Sequence, residues 1–188
     1  MWRYCVFSHV PNILTLLRLL AAPFLVILLK EGAYQQALVL FVLAGISDGL
    51  DGYIAKRFGF VSRLGAILDP LADKVLIIST YVMLTLLGDL PFWVLIIVGF
   101  RDLVIIGGYL ILDQLYQIVQ MSPSRISKLN TFTQIFLVIV VLLQQSGGWV
   151  GHITVNLGIA CVVITTIASG IHYVWVWGIR TPVEQSVE

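Results

Sequence analysis

The stretch DGLDGYIAKRFGFVSRLGAILDPLAD, residues 48–73, concentrates acidic charge in a chain that is otherwise strongly apolar. The chain has 10 Asp and Glu residues, and four of them lie here, at Asp48, Asp51, Asp69 and Asp73. The first pair is three residues apart and the second is four apart, so on helices each pair shares one face. Each pair also lies at the edge of a long apolar segment, where an uncompensated carboxylate costs about 2.5–3.5 kcal/mol.

This cluster of carboxylates predicts a divalent-cation site, because hard oxygen ligands suit Mg²⁺, Mn²⁺ or Ca²⁺. Two carboxylate pairs on neighbouring helix ends can hold two cations about 3.5–4 Å apart, as in two-metal phosphoryl-transfer sites. The alternative is four solvated carboxylates that cap helix ends. Gly52 and Gly65 favour the metal site, since they leave room for a ligand to approach the backbone.

The composition of the 188-residue chain excludes an ordinary soluble protein, since 59% of the residues are hydrophobic and only 11% are charged. Long apolar runs recur along the whole sequence, which is typical of a polytopic membrane protein. The net charge is +1 and no basic cluster is large, so we expect no nucleic-acid partner. The chain length fits one domain over residues 1–188.

The predicted fold is all-α, with six transmembrane helices after a short interfacial segment at residues 1–12 and before a flexible tail at 181–188. The spans are expected at about residues 13–30, 34–55, 65–87, 92–112, 125–143 and 153–177.

The distribution of Lys and Arg outside these spans predicts the orientation. One side of the membrane would carry Arg3, Lys56, Arg57, Arg63, Arg125, Lys128 and Arg180, and the other only Lys30. The positive-inside rule then places both termini and the aspartates on the cytoplasmic side. This corresponds to a bacterial inner membrane, or to the matrix-equivalent side of an organelle membrane.

Polar residues within the spans are candidates for buried contacts. Asn12, Thr15 and Arg18 recur every three residues, so we expect Arg18 to face the interior of the helix bundle. Arg101 and Asp102 are adjacent, and adjacent helical residues do not face each other, so each is expected to have a different partner. The serine and threonines of the last span are interpreted as helix-packing residues.

The spacing Asp48-x2-Asp51-Gly52-x2-Ala55-Lys56-x8-Gly65-x3-Asp69-x3-Asp73 resembles the signature of the CDP-alcohol phosphatidyltransferases. Lys56 stands where that family usually has Arg, which keeps the charge but loses the bidentate fork. The resemblance implies transfer of a phosphatidyl group from CDP-diacylglycerol to an alcohol, with release of CMP and no organic cofactor. It also implies a homodimer.

The resemblance further implies roles for individual residues. The metal ligands, for Mg²⁺ or Mn²⁺ and two ions per site, would be Asp48, Asp51, Asp69 and Asp73. Asp73 would in addition be the catalytic base for the acceptor hydroxyl. The CDP-diacylglycerol site would contain Gly52, Ala55, Lys56 and Gly65, together with Asn12 and Thr15 of the first span.

The acceptor is predicted from the segment SPSRISKLNTFTQ, residues 122–134, which resembles the eukaryotic-type cardiolipin synthases. Glycerophosphate-using relatives more often have a Gly and a second Lys where this chain has Ser127 and Asn130. We therefore expect phosphatidylglycerol as acceptor, with glycerol 3-phosphate as the alternative. The acceptor-binding candidates are Lys128, Arg101, Arg125 and Arg18.

A cation transporter is a more remote interpretation of the same aspartates. A transport path needs polar groups through the middle of the bilayer, whereas these carboxylates gather at one side.

Overall fold

The computed structural model describes residues 10–58, 63–116, 125–148 and 150–175, with the side chains of residues 15–49, 72–105, 107, 126–148, 150–173 and 175. Over these residues the chain forms six long helices and no strand, which confirms the predicted all-α class. The helices are α1 (Val10–Lys30), α2 (Tyr34–Phe58), α3 (Arg63–Leu86), α4 (Phe92–Tyr116), α5 (Arg125–Gly147) and α6 (His152–Trp175).

The helices follow the six predicted apolar segments in order, but several extend beyond the expected limits. α1 begins at Val10, so Pro11 lies in the first helical turn, where its missing N–H costs little. The prediction that residues 10–12 precede the helix was therefore wrong. α2 continues through Lys56 and Arg57, since both are good helix formers. The rest of the predicted interfacial segment and the predicted tail lie outside the described residues.

Two segments of the described chain are long and apolar enough to cross a membrane, Ile126–Gly147 and His152–Tyr173. They correspond to the fifth and sixth predicted spans. Membrane crossing by the other four helices stays a prediction.

Glycines in a left-handed conformation follow three of the described helices, and Gly148 after α5 is one of them, with φ at +68°. Gly32 follows α1 with φ at +72°, and Gly88 follows α3 with φ at +85°. After α1 the Gly32 N–H donates to the Leu29 carbonyl, and the Ala33 N–H donates to the Leu28 carbonyl. These paired bonds are the Schellman motif, which satisfies carbonyls that the helix leaves free and turns the chain sharply.

The described chain forms two compact units, and the first contains α1, α2, α3 and the end of α5 from Val141. α1 contacts both α2 and α3. One face of α1 is buried, at Thr15, Arg18, Ala22, Leu25 and Leu29. The opposite face exposes large apolar side chains, at Leu16, Leu20, Phe24 and Ile27. In water such a surface would be a liability, whereas in lipid it is the ordinary outer surface of a helix.

The second unit contains α4, α5 up to Val140, and α6. α4 contacts α6, and the buried apolar residues include Val98, Leu137 and Val162. α6 approaches α5 closely at Gly158, where an added Cβ would lie 3.0 Å from Leu137 Cδ1. A glycine at this position therefore sets how closely the two helices pack.

We expect Gly158→Ala to be less stable than Gly170→Ala by about 1 kcal/mol, because both gain helix propensity but only the first crowds the fully buried Leu137. Gly170→Ala on the same helix is the matched control, since its added Cβ meets nothing within 4 Å. Unfolding in mixed detergent micelles would measure both variants. Equal stability of the two would contradict the close contact.

Candidate active site

Arg18 is the charged residue around which the first unit's polar contacts gather. α1 carries it on the buried face, one turn after Thr15, and both residues are 2% exposed. The prediction that Arg18 faces the interior is confirmed. A guanidinium in this position needs anionic partners, because burial of an unpaired charge is strongly unfavourable.

Those partners are the first and last aspartates of the acidic motif. Arg18 Nη1 lies 2.6 Å from Asp48 Oδ1 on α2 and 2.7 Å from Asp73 Oδ1 on α3. The Arg18 side chain is 1% exposed, whereas the two carboxylate side chains are 41% and 37% exposed. One buried nitrogen thus brings together two carboxylates that are distant in sequence, and the carboxylates form the accessible side of the site.

The charges at this point leave the site anionic. Two carboxylates and one guanidinium sum to one net negative charge before Asp51 and Asp69 are considered. Asp51 lies on α2 and Asp69 on α3, each one helical turn from its motif partner, and their side chains lie outside the described residues. Partly exposed carboxylate oxygens with net negative charge are a donor set that suits Mg²⁺ or Mn²⁺.

Of the predicted nucleotide-binding residues, Thr15 is buried on α1, and the others are placed by backbone alone. Gly52, Ala55 and Lys56 lie on α2, and Gly65 lies in the first turn of α3. Their side-chain positions, and that of Asn12 on α1, are outside the described residues. Their contacts with a nucleotide stay predictions.

A second polar cluster is built around Arg101 in the second unit. Arg101 Nη1 donates to Asp102 Oδ1 at 2.7 Å, and Nη2 donates to Ser127 Oγ at 2.7 Å and to Ser169 Oγ at 2.6 Å. Arg101 and Asp102 are 6% and 4% exposed. One side chain of α4 therefore joins α5 through a part-buried hydrogen bond and α6 through a buried one.

The expectation that Arg101 and Asp102 would have different partners was wrong for this contact. Adjacent side chains diverge by about 100° around a helix. The long arginine side chain nevertheless turns back to the neighbouring carboxylate, because both groups are buried and neutralise each other there.

Asn130 forms a further contact between α5 and α6. It is fully buried, and its Oδ1 accepts hydrogen bonds from Thr166 Oγ1 at 2.8 Å and from Thr165 Oγ1 at 3.0 Å. The helix-packing interpretation of these threonines is thus confirmed. Sequence reasoning missed Asn130 itself as a packing residue. Its signal was the spacing: it follows Ser127 by three residues and so shares that residue's face.

The acceptor-binding candidates have different environments. Lys128 is exposed on α5, whereas the two terminal nitrogens of Arg101 already donate to protein groups. The Arg125 side chain lies outside the described residues, and Arg18 contacts the aspartates.

A cleft of about 820 Å³ opens between α4 and α6. Its walls are mainly apolar, with Phe100, Ile171 and Trp175 among them, and Arg101 contributes to the lining. These three apolar side chains are all more than 60% exposed. The cleft is wide enough for a small-molecule or lipid group.

Comparison with known proteins identifies relatives along most of the chain. The family model described as CDP-alcohol phosphatidyltransferase matches residues 8–171. A probable phosphatidylglycerophosphate synthase of Mycobacterium tuberculosis is 34% identical over 173 residues, which cover 89% of this chain and 80% of that protein. The cardiolipin synthase (CMP-forming) of Rattus norvegicus is 33% identical over 87% of this chain and 60% of its own length. A third relative, the cardiolipin synthase (CMP-forming) of Streptomyces coelicolor, is 34% identical over 79% and 72%.

We expect Ser169→Ala to lower the free energy of unfolding by about 1–2 kcal/mol, since it removes a buried hydrogen bond to a charged group. Ser79→Ala is the control, because the Ser79 hydroxyl donates to the Leu76 carbonyl of its own helix. Its effect should stay below about 0.5 kcal/mol. Unfolding of both variants in the same micelles would measure the difference, and indistinguishable curves would contradict the role of the cluster.

Proposed function

Because this chain belongs to the CDP-alcohol phosphatidyltransferase family, we propose that it transfers the phosphatidyl group of CDP-diacylglycerol to phosphatidylglycerol and releases CMP. The products would be cardiolipin and CMP. The observation that carries this proposal is the convergence of Asp48 and Asp73 on Arg18, because it brings the two ends of the family motif into one anionic site. Membership of an enzyme family also removes the interpretation as a cation transporter.

In the proposed site, Asp48, Asp51, Asp69 and Asp73 hold two Mg²⁺ or Mn²⁺ ions. When bound, such ions neutralise the pyrophosphate and the leaving nucleotide. Asp73 accepts the proton of the acceptor hydroxyl, a task for which its partly exposed carboxylate is accessible. Gly52, Ala55 and Gly65 let the nucleotide approach the helices, while Lys56, Asn12 and Thr15 contribute polar contacts.

The choice of phosphatidylglycerol is supported by the segment at residues 122–134 and by the cleft between α4 and α6. A lipid acceptor needs an apolar surface for its acyl chains as well as a cation for its phosphodiester. The cleft offers apolar walls, and Lys128 is exposed, unlike Arg18 and Arg101 among the acceptor-binding candidates whose side chains the structure describes. Asn130 gives no support on its own, since it packs against α6.

Glycerol 3-phosphate is the second candidate acceptor, because relatives named for phosphatidylglycerophosphate synthesis match this chain as well as those named for cardiolipin synthesis. A small acceptor of this kind would need no apolar cleft. Product identity therefore separates the two candidates.

The chain is a membrane protein, and we propose that all six helices cross the bilayer. The exposed apolar face of α1 supports this topology beyond the two segments that are long and apolar enough to cross a membrane. By the positive-inside rule, both termini and the aspartates lie on the cytoplasmic side. The family match runs through both compact units, which supports one membrane domain. The homodimer remains part of the proposal from family resemblance.

The first functional prediction concerns the base. We expect Asp73→Asn to lower kcat by about 10²–10⁴-fold, the usual loss when a general base is removed. CMP release by purified protein in detergent with Mg²⁺ or Mn²⁺ would measure it. Asp89→Asn is the control, because Asp89 accepts hydrogen bonds from Tyr34 and Gln145 at the turn after α3 and lies outside the motif. Near-normal turnover of Asp73→Asn would contradict the assignment.

The second functional prediction concerns the acceptor. With CDP-diacylglycerol and a panel of phosphatidylglycerol, glycerol 3-phosphate, inositol phosphate and serine, the expected product is cardiolipin, identified by mass spectrometry. Lys128→Ala should raise the KM for phosphatidylglycerol about tenfold to a hundredfold, since a charge-assisted hydrogen bond is lost. The KM for CDP-diacylglycerol should change little. Formation of phosphatidylglycerophosphate instead would contradict the acceptor and leave the reaction type intact.

A further inference from the structure

We infer that Arg18 is a positioning residue of the active site, which holds the carboxylates of Asp48 and Asp73 together through one shared guanidinium nitrogen. The inference rests on the proposed function, because it gives Arg18 a role in that same site. It also replaces the acceptor-binding role that the sequence pattern had suggested for this residue.

The geometry of the contact supports positioning. A single nitrogen, Arg18 Nη1, lies within hydrogen-bond distance of one oxygen on each aspartate. The two carboxylates come from different helices, and α1 contacts both of those helices. Arg18 therefore fixes the separation of the two oxygens, and with it the register of α2 against α3 at the motif.

Burial argues against direct contact with an acceptor. The Arg18 side chain is 1% exposed, and the carboxylates are more than a third exposed. An acceptor phosphate could bind Arg18 Nη1 only by displacing a carboxylate from its bond. Displacement would also bring the phosphate against the negative charge of the aspartates, which is unfavourable.

The charges predict how Arg18 and a bound cation affect each other. Without Arg18, two neighbouring carboxylates would repel each other in a partly desolvated site. Arg18 and a divalent cation both relieve that repulsion. The presence of one therefore reduces the stabilisation of the folded protein that the other provides. By linkage, removal of Arg18 should make the protein depend more on the cation for its stability.

The test compares thermal unfolding of the purified protein in detergent, with EDTA and with saturating Mn²⁺ alone. Arg18→Met keeps a long side chain but removes the charge. Without metal, its Tm should fall by about 5 °C or more. The increase in Tm on adding Mn²⁺ should exceed that of the unchanged protein by about 3 °C or more. Arg18→Lys should recover at least half of the metal-free loss, since an ammonium can donate to both carboxylates.

Arg101→Met is the matched control. It also removes a buried arginine that is paired with a carboxylate, but its partner Asp102 lies outside the motif. Its Tm should fall as well, while the increase caused by Mn²⁺ should stay that of the unchanged protein. A purely structural arginine at position 18 would behave like this control, and that result would overturn the inference.

Two further results would overturn the inference. An unchanged Mn²⁺ effect in Arg18→Met, combined with an acceptor KM at least tenfold higher, would overturn the inference in favour of acceptor contact. If Arg18→Met does not accumulate, the triple variant with Asp48→Asn and Asp73→Asn should fold, because the charge is lost together with those it balances. Failure of the triple variant to fold would overturn the inference.

These unfolding measurements need no turnover, so they separate the inference from the proposed function. A protein that released no CMP from CDP-diacylglycerol would contradict the function. The increase in Tm caused by Mn²⁺ in Arg18→Met and in Arg101→Met would still test the inference.

Discussion

The bond between the buried Arg18 and the two aspartates at the ends of the acidic motif is the interaction on which the first unit depends. A guanidinium at 2% exposure is tolerated only where anions are fixed beside it. The same contact stabilises the aspartates, since carboxylates at the edge of apolar helices also need a cation nearby. One contact thus stabilises both charges, and it does so at the two ends of the acidic motif.

The second unit also contains a buried arginine that is paired with a carboxylate. Arg101 is neutralised by its neighbour Asp102, and its other terminal nitrogen donates to serines on two further helices. Asn130 adds a neighbouring contact with α6. Here Arg101, Asp102 and Asn130 are buried and bond to neighbouring protein groups, whereas the aspartates of the first unit remain accessible. That difference in exposure is what separates a site able to take a ligand from a cluster that fixes helix packing.

The sequence predicted the six helices and the interior position of Arg18, because apolar length and polar periodicity are local properties of the chain. It did not predict that Arg18 contacts Asp48 and Asp73, since contacts between helices depend on tertiary packing that no local spacing encodes. The Arg101–Asp102 bond was missed for another reason: the rule for adjacent residues describes side-chain directions and ignores the reach of a long side chain. Helix ends were misplaced where polar but helix-forming residues, such as Lys56, continue a span.

The exposed apolar face of α1 has a thermodynamic consequence for the whole molecule. In lipid, an aliphatic side chain gains little by leaving its neighbours for another aliphatic surface, so the hydrophobic effect does not choose among helix arrangements. The arrangement of the helices is instead determined by close packing, as at Gly158, and by directional polar bonds. Loss of such a bond can therefore shift the population among helix registers as well as lower the stability of the chain.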